Sequence, residues 1–203
     1  MKTLRESVSP RLTNLIFLFL IFGAAFYRVM RVQWAPDSLP NFSPLMAIAL
    51  CGALFLPLSR RMALLTPLVA LALSDILLNI HYGVSLFSPY ALVSLLCYAG
   101  AAGLGLGLRR FKASIPLTLT AVLASAVVFY LVTNTLSWVG NPAYAQTLAG
   151  WVQALTIGVP GFPPTWTFFR NALASNLVFA LGFSVIALRL GRQSEDVALQ
   201  AVV

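Results

Sequence analysis

Few residues in this chain can do chemistry, and they recur at helical spacing. Residues 73–82 read LSDILLNIHY, placing Asp75 and Asn79 four apart on one helical face, with His81 and Tyr82 just beyond. Residues 129–138 read FYLVTNTLSW, where Tyr130, Asn134 and Trp138 follow at i, i+4 and i+8. Residues 168–176 read FFRNALASN and supply Arg170, Asn171 and Asn176. Asp75 is the only acidic residue inside an apolar run, and His81 is the only histidine of the chain. One carboxylate, one imidazole and one guanidinium could act as base, acid and anion clamp. The same groups with asparagines and aromatics could instead anchor a small molecule. Cys51 and Cys97 sit within apolar runs without Cys-x-x-Cys spacing, so they read as small buried hydrophobes.

The elements that hold these residues are set by hydropathy. The 203 residues are 60% hydrophobic and 9% charged, with a mean hydropathy of +0.89. That leaves too little charge to cover a soluble domain, so the expected class is an all-α integral membrane protein. Apolar runs at about 14–31, 42–58, 62–80, 88–108, 114–138 and 171–190 are long enough to span the bilayer, giving a six-helix transmembrane bundle. Residues 144–160, richer in Gly, Gln and Trp, read as a short interfacial or re-entrant helix. Residues 1–192 form one transmembrane domain and 193–203 a cytoplasmic tail. The first run has an alternative reading as a secretory signal, against which stands its continuation into FYRVMR.

Charge sets the orientation. With the N-terminus inside, ten of the thirteen basic residues lie on the cytoplasmic side, including Arg60, Arg61, Arg109, Arg110 and Lys112. Arg28, Arg31 and Arg170 remain outside, so the expected topology is N-in, C-in. The net charge of +8 then follows from cytoplasmic loops rather than from a nucleic-acid surface. In AGAAGLGLGL at 99–108, Ala99, Gly103 and Gly107 recur every four residues and read as a helix–helix contact face.

Depth gathers the polar residues. Asp75, Asn79, His81, Asn134, Trp138, Arg170 and Asn171 fall at one outer level, while the inner halves of the spans are nearly bare. Tyr90, Tyr144, Trp151, Trp166 and the first outer loop, with Trp34, Asp37 and Asn41, would add walls to an outward pocket. Each residue also has a structural reading: Asp75 paired with Arg170 or Arg28, Asn134 as an interhelical hydrogen bond, the tryptophans as an interfacial belt.

The segments NFSPLMAIALCGALF (41–55), LALSDILL (71–78), FYLVTNTLSW, YAQTLAGW (144–151), VPGF and FFRNALASNLVFALGF resemble an uncharacterised bacterial membrane family. That family is in turn similar to the S-components of energy-coupling-factor transporters, the nearest being the BtuM-type cobalamin S-component. The resemblance implies a vitamin-binding protein of the bacterial cytoplasmic membrane with an outward pocket. It maps an acidic residue of the third span to Asp75, a tyrosine opening the next span to Tyr90, and an arginine opening the last to Arg170. Where the cobalamin pattern presents a cysteine to cobalt, this stretch has none, and His81 is the candidate cobalt ligand of bound cobalamin. The implied partners are the lipid bilayer, a vitamin, and the transmembrane subunit and ATPases of the coupling factor. The chain has no glycine-loop lysine with which to hydrolyse ATP itself.

The sequence therefore supports uptake of a vitamin, with cobalamin the first expectation, and no enzymatic activity. The substrate-binding residues expected are Asp75, Asn79, His81, Tyr90, Asn134, Trp138, Arg170 and Asn171. The alternatives are a non-transporting scaffold resembling the MreD-type membrane proteins and, third, a membrane-embedded enzyme.

Overall fold

Hydroxyl residues start five of the helices. Ser9, Ser59, Ser88, Ser114 and Thr147 each accept a hydrogen bond from the backbone N–H three residues on, satisfying a donor that the first turn leaves open. A proline follows in the first turn behind Ser88 and Ser114, where its missing N–H costs nothing. The computed structural model describes residues 9–34, 42–83, 85 and 88–200, with the side chains of 10, 31–34 and 191–200 outside that description. The expectations for Asp37, Asn41 and the Trp34 side chain lie outside the described residues.

Among the described residues there are seven helices and no strand: α1 (Pro10–Trp34), α2 (Leu45–Phe55), α3 (Arg60–Tyr82), α4 (Pro89–Leu108), α5 (Ile115–Trp138), α6 (Leu148–Leu155) and α7 (Thr165–Gln200). Five of them, α1, α3, α4, α5 and α7, are long and apolar enough to cross a membrane. Their outer faces are greasy: Leu15, Phe19, Phe22 and Phe26 form an exposed stripe on α1, and Leu92, Leu96, Val178 and Ile186 are exposed on α4 and α7. Large apolar side chains pointing outward along whole helices are what hydrocarbon requires and water penalises. The chain is an all-α membrane protein. Helix α7 runs on through Gln200, so most of the expected tail is helical.

The run at 42–58 gives a helix of only 11 residues, roughly 16 Å long and about half the hydrocarbon thickness. It lies at the centre of the bundle, with ten of its residues buried, packed on α3, α4, α5 and α7. Burial on every side explains its unbroken apolar sequence. A short helix in an apolar bundle leaves polar backbone at both ends. At the start, the Asn176 side chain on α7 accepts from Ala47 N–H at 2.9 Å. At the other end, the Arg109 guanidinium donates to the Ala53, Leu56 and Leu58 carbonyls.

The same contacts fix direction. Arg28, near the end of α1, reaches Ser74 and Asp75, near the end of α3, so α1 and α3 run the same way. Arg109, just past α4, meets the end of α2, so those two run together. Tyr130 in the last third of α5 stacks on Phe169 at the start of α7, setting that pair antiparallel. Helices α1 and α3 thus start from the same end of the bundle, and the end of α2 lies with the end of α4.

The close contact expected of Ala99, Gly103 and Gly107 falls on another face. A Cβ at Gly103 or Gly107 would meet nothing, whereas one at Gly105 would lie 2.3 Å from the Leu50 carbonyl oxygen. Gly105, with Ala101 and Ala102, is where α4 approaches α2. Helix α6 occupies less of 144–160 than expected, and its Trp151 indole donates to Thr135 on α5.

Candidate functional site

At the end of the bundle where α1, α3 and α5 finish, the helices part around a cavity of about 560 Å³. Helix α5 supplies one wall with Ala126, Phe129, Tyr130, Thr133, Asn134 and Ser137, spaced so that they share a face. Helix α7 supplies the facing wall from Thr165, Phe168, Phe169, Ala172 and Asn176. Tyr90 and Tyr98 project from α4, eight residues apart, and Ser43 and Met46 close the floor at the start of α2. The remaining side is the loop between α6 and α7, with Gly158, Val159, Phe162 and Pro163, together with Tyr144.

That loop is pinned. Gly158 N–H donates to the Gln153 carbonyl, the Gln153 side chain returns a bond to Gly158 O, and Trp166 N–H donates to Thr156 O. Gly158 has φ +72°, and a Cβ there would stand 2.6 Å from Thr165 Oγ1, so only glycine fits this turn. Tyr130 ties α5 to the same region by donating its hydroxyl to the Leu155 carbonyl.

Among the described residues, no charged side chain, histidine or cysteine lines the cavity. Its polar groups are hydroxyls and amides, several already committed. Thr133 donates to Phe129 O, Ser137 donates to Thr133 O, and Asn176 spends both side-chain atoms on Ala47 and Ala172. Asn134 donates to Tyr130 O at 2.8 Å, which leaves its Oδ1 for a ligand donor. Ser43 Oγ is buried and makes no hydrogen bond among the described residues. The arrangement suits a small ligand with a flat apolar body and a few hydrogen-bonding groups. Among the described residues, no cluster of His, Cys, Asp and Glu could hold a metal ion.

Of the residues expected in the site, Tyr90 and Asn134 line the cavity. Tyr144, expected in the wall, lines it too, whereas Trp151 and Trp166 do not, and the other expected binding residues stand outside the lining. Asp75 forms an ion pair with Arg28 at 2.7 Å, each side chain about a quarter exposed (29% and 23%). Asn79 donates to the Ser85 carbonyl and closes the turn after α3. His81 is exposed, edge-on to Tyr82 at 4.9 Å. The Trp138 indole donates to Ala145 O and staples the turn after α5. Arg170 is exposed, its guanidinium 5.2 Å from the Trp166 ring and its Nε donating to the buried Asn171.

Missed from the sequence were Ser43, Tyr98, Thr133 and the Phe129, Phe168, Phe169 set. The signal was present: Phe129 and Thr133 flank the Tyr130–Asn134 face within the quoted FYLVTNTLSW. Aromatic residues in a membrane helix, however, look the same whether they face lipid, protein or a cavity.

The chain belongs to the DUF6580 family, a family of unknown function whose profile matches residues 8–195. No curated protein and no solved structure matches it.

Proposed function

We propose that this DUF6580 protein is a membrane-embedded substrate-binding protein of the S-component type, taking up a vitamin-class ligand through an outward-facing pocket. The topology we assign has six crossings and both termini in the cytoplasm. Helices α1, α3 and α5 run outward, and α4, α7 and the segment carrying α2 run inward. The arginines at the start of α3 and after α4 then lie inside, in keeping with the positive-inside rule. The membrane is the bacterial cytoplasmic membrane, and energy comes from a coupling-factor partner with its own ATPases.

The observation that carries this reading is the aromatic, uncharged cavity at the end opposite those arginines. A scaffold needs no such space. The volume also bears on the ligand. About 560 Å³ falls inside the roughly 300–1,000 Å³ that holds drug-sized molecules, and a corrin ring with its nucleotide loop is larger than that. His81, the candidate cobalt ligand, stands outside the lining. The geometry favours a compact, uncharged, ring-containing vitamin over cobalamin.

Calorimetry on detergent-purified protein against a vitamin panel, cobalamin and cobinamide included, tests this. We expect one-to-one binding of a compact neutral member. Asn134→Leu should weaken it about tenfold, the worth of one hydrogen bond in a dry site. No heat from any panel member, with the sample folded, would overturn the uptake reading and favour the MreD-like scaffold.

A further inference from the structure

A second concavity, of about 690 Å³, opens at the opposite end of the bundle between residues 57–60 and the end of α4. Arg60, Arg109 and Arg110 line it. Arg109 is held rigidly by the three carbonyls at the end of α2. Arg110 lies over the exposed Phe111 ring at 5.0 Å, and Arg60 is exposed. The only ion pair among the described residues is Arg28–Asp75, at the far end, so no described carboxylate balances this groove. The first turn of α3 opens into it as well, adding backbone N–H groups and the positive end of a 23-residue helix.

A glycine face leads away from the groove along α4. Gly107, Gly103 and Gly100 are exposed, and a Cβ on any of them would meet nothing within 4 Å. At spacings of four and three they leave a trench one atom deep, bordered by the exposed Leu96 and Leu104. The trench starts at the arginines and runs towards the middle of an apolar, lipid-facing helix. Basic groove and smooth channel together match the two halves of a phospholipid.

We infer that this groove binds an anionic phospholipid, its phosphate on Arg60, Arg110 and the start of α3, and one acyl chain in the Gly100–Gly103–Gly107 trench. The lipid would bridge α3 and α4 at the place where Arg109 clamps α2. The inference does not depend on the ligand of the opposite cavity.

Native mass spectrometry of the full chain, delipidated and then titrated, tests it with three probes: phosphatidylglycerol, phosphatidylcholine of the same chains, and inorganic phosphate. Phosphatidylglycerol should bind with defined stoichiometry and outcompete phosphatidylcholine. Arg60→Gln/Arg110→Gln should lower that affinity about thirtyfold, two basic residues at a lipid surface being removed. Gly100→Leu/Gly103→Leu, which fills only the trench and leaves the groove lining untouched, should lower lipid binding while inorganic phosphate binding is unchanged. Equal retention of both lipids, or full retention by the arginine variant, would overturn the assignment. So would a phosphate affinity matching the lipid's with no effect of the glycine variant, because the site would then belong to a soluble anion.

Discussion

Gly105→Ala should destabilise this protein, while Gly103→Ala, half a turn away on the same helix, should not. The added Cβ at 105 would lie 2.3 Å from the Leu50 carbonyl oxygen and 3.0 Å from Ala53 Cβ. Comfortable C···O contacts fall at about 3.3–3.6 Å, so α4 and α2 must part by about 1 Å. The obstacle is backbone of a buried helix, which has no rotamer to change, and this places the cost near the upper end of the roughly 1–3 kcal/mol of overpacking. Alanine's better helix propensity returns about 1 kcal/mol, leaving a net loss of about 2 kcal/mol. For a chain of this length that is a fall in Tm of about 4–8 °C. At Gly103 the Cβ enters open space, so only the propensity gain remains and Tm should hold or rise. Tryptophan-fluorescence melts of both variants in one detergent give the comparison. Equal melting of Gly105→Ala and the parent, or an equal loss in Gly103→Ala, would refute the packing geometry.

Two further outcomes follow from side chains that satisfy buried polar groups. Asn176→Leu leaves the Ala47 N–H without its acceptor and should cost about 1–3 kcal/mol in the same melts. Arg28→Met strands Asp75 and should cost about 2–3 kcal/mol, less than a fully buried pair because both side chains are partly exposed. The double variant Arg28→Met/Asp75→Leu should recover most of that loss, and a double variant no better than the single would show that the pair is not what joins α1 to α3 there.

Helix existence and depth were legible because both are one-dimensional. Five long apolar helices fall close to the expected spans, since a run either is or is not long enough for hydrocarbon. Hydropathy could not give the true length of α2, because a segment sheathed by protein is as apolar as one sheathed by lipid. Its ends are decided by Asn176 and Arg109, which lie 129 and 56 residues away from the groups they satisfy. Azimuth was the other loss. Asp75, His81 and Asn134 do share an end of the bundle, yet which of them meet depends on how the helices are rotated. Asp75 faces α1 and its arginine, while Asn134 faces α7 and the cavity. The glycines of α4 show the same limit: spacing found a small-residue face, and the contact lies on the neighbouring one, at Gly105.

The short helix and the cavity are one feature. Arg109 fixes the end of α2 at the arginine-rich end of the bundle, and at roughly 16 Å the helix stops about halfway across. Beyond its start, Ser43 and Met46 form the cavity floor, and Asn176, which accepts from Ala47, belongs to the lining as well. A helix of full length would fill the axis that the five long helices surround. Ending it at Pro44 leaves that volume open, and the aromatic faces of α5 and α7 line the gap instead. Asn176 therefore has two places in the structure: the amide that closes the helix start is also part of the cavity wall. Asn134, whose only hydrogen bond among the described residues is to its own helix, is free of that structural duty, so Asn134→Leu tests the proposed binding while the start of α2 is left intact.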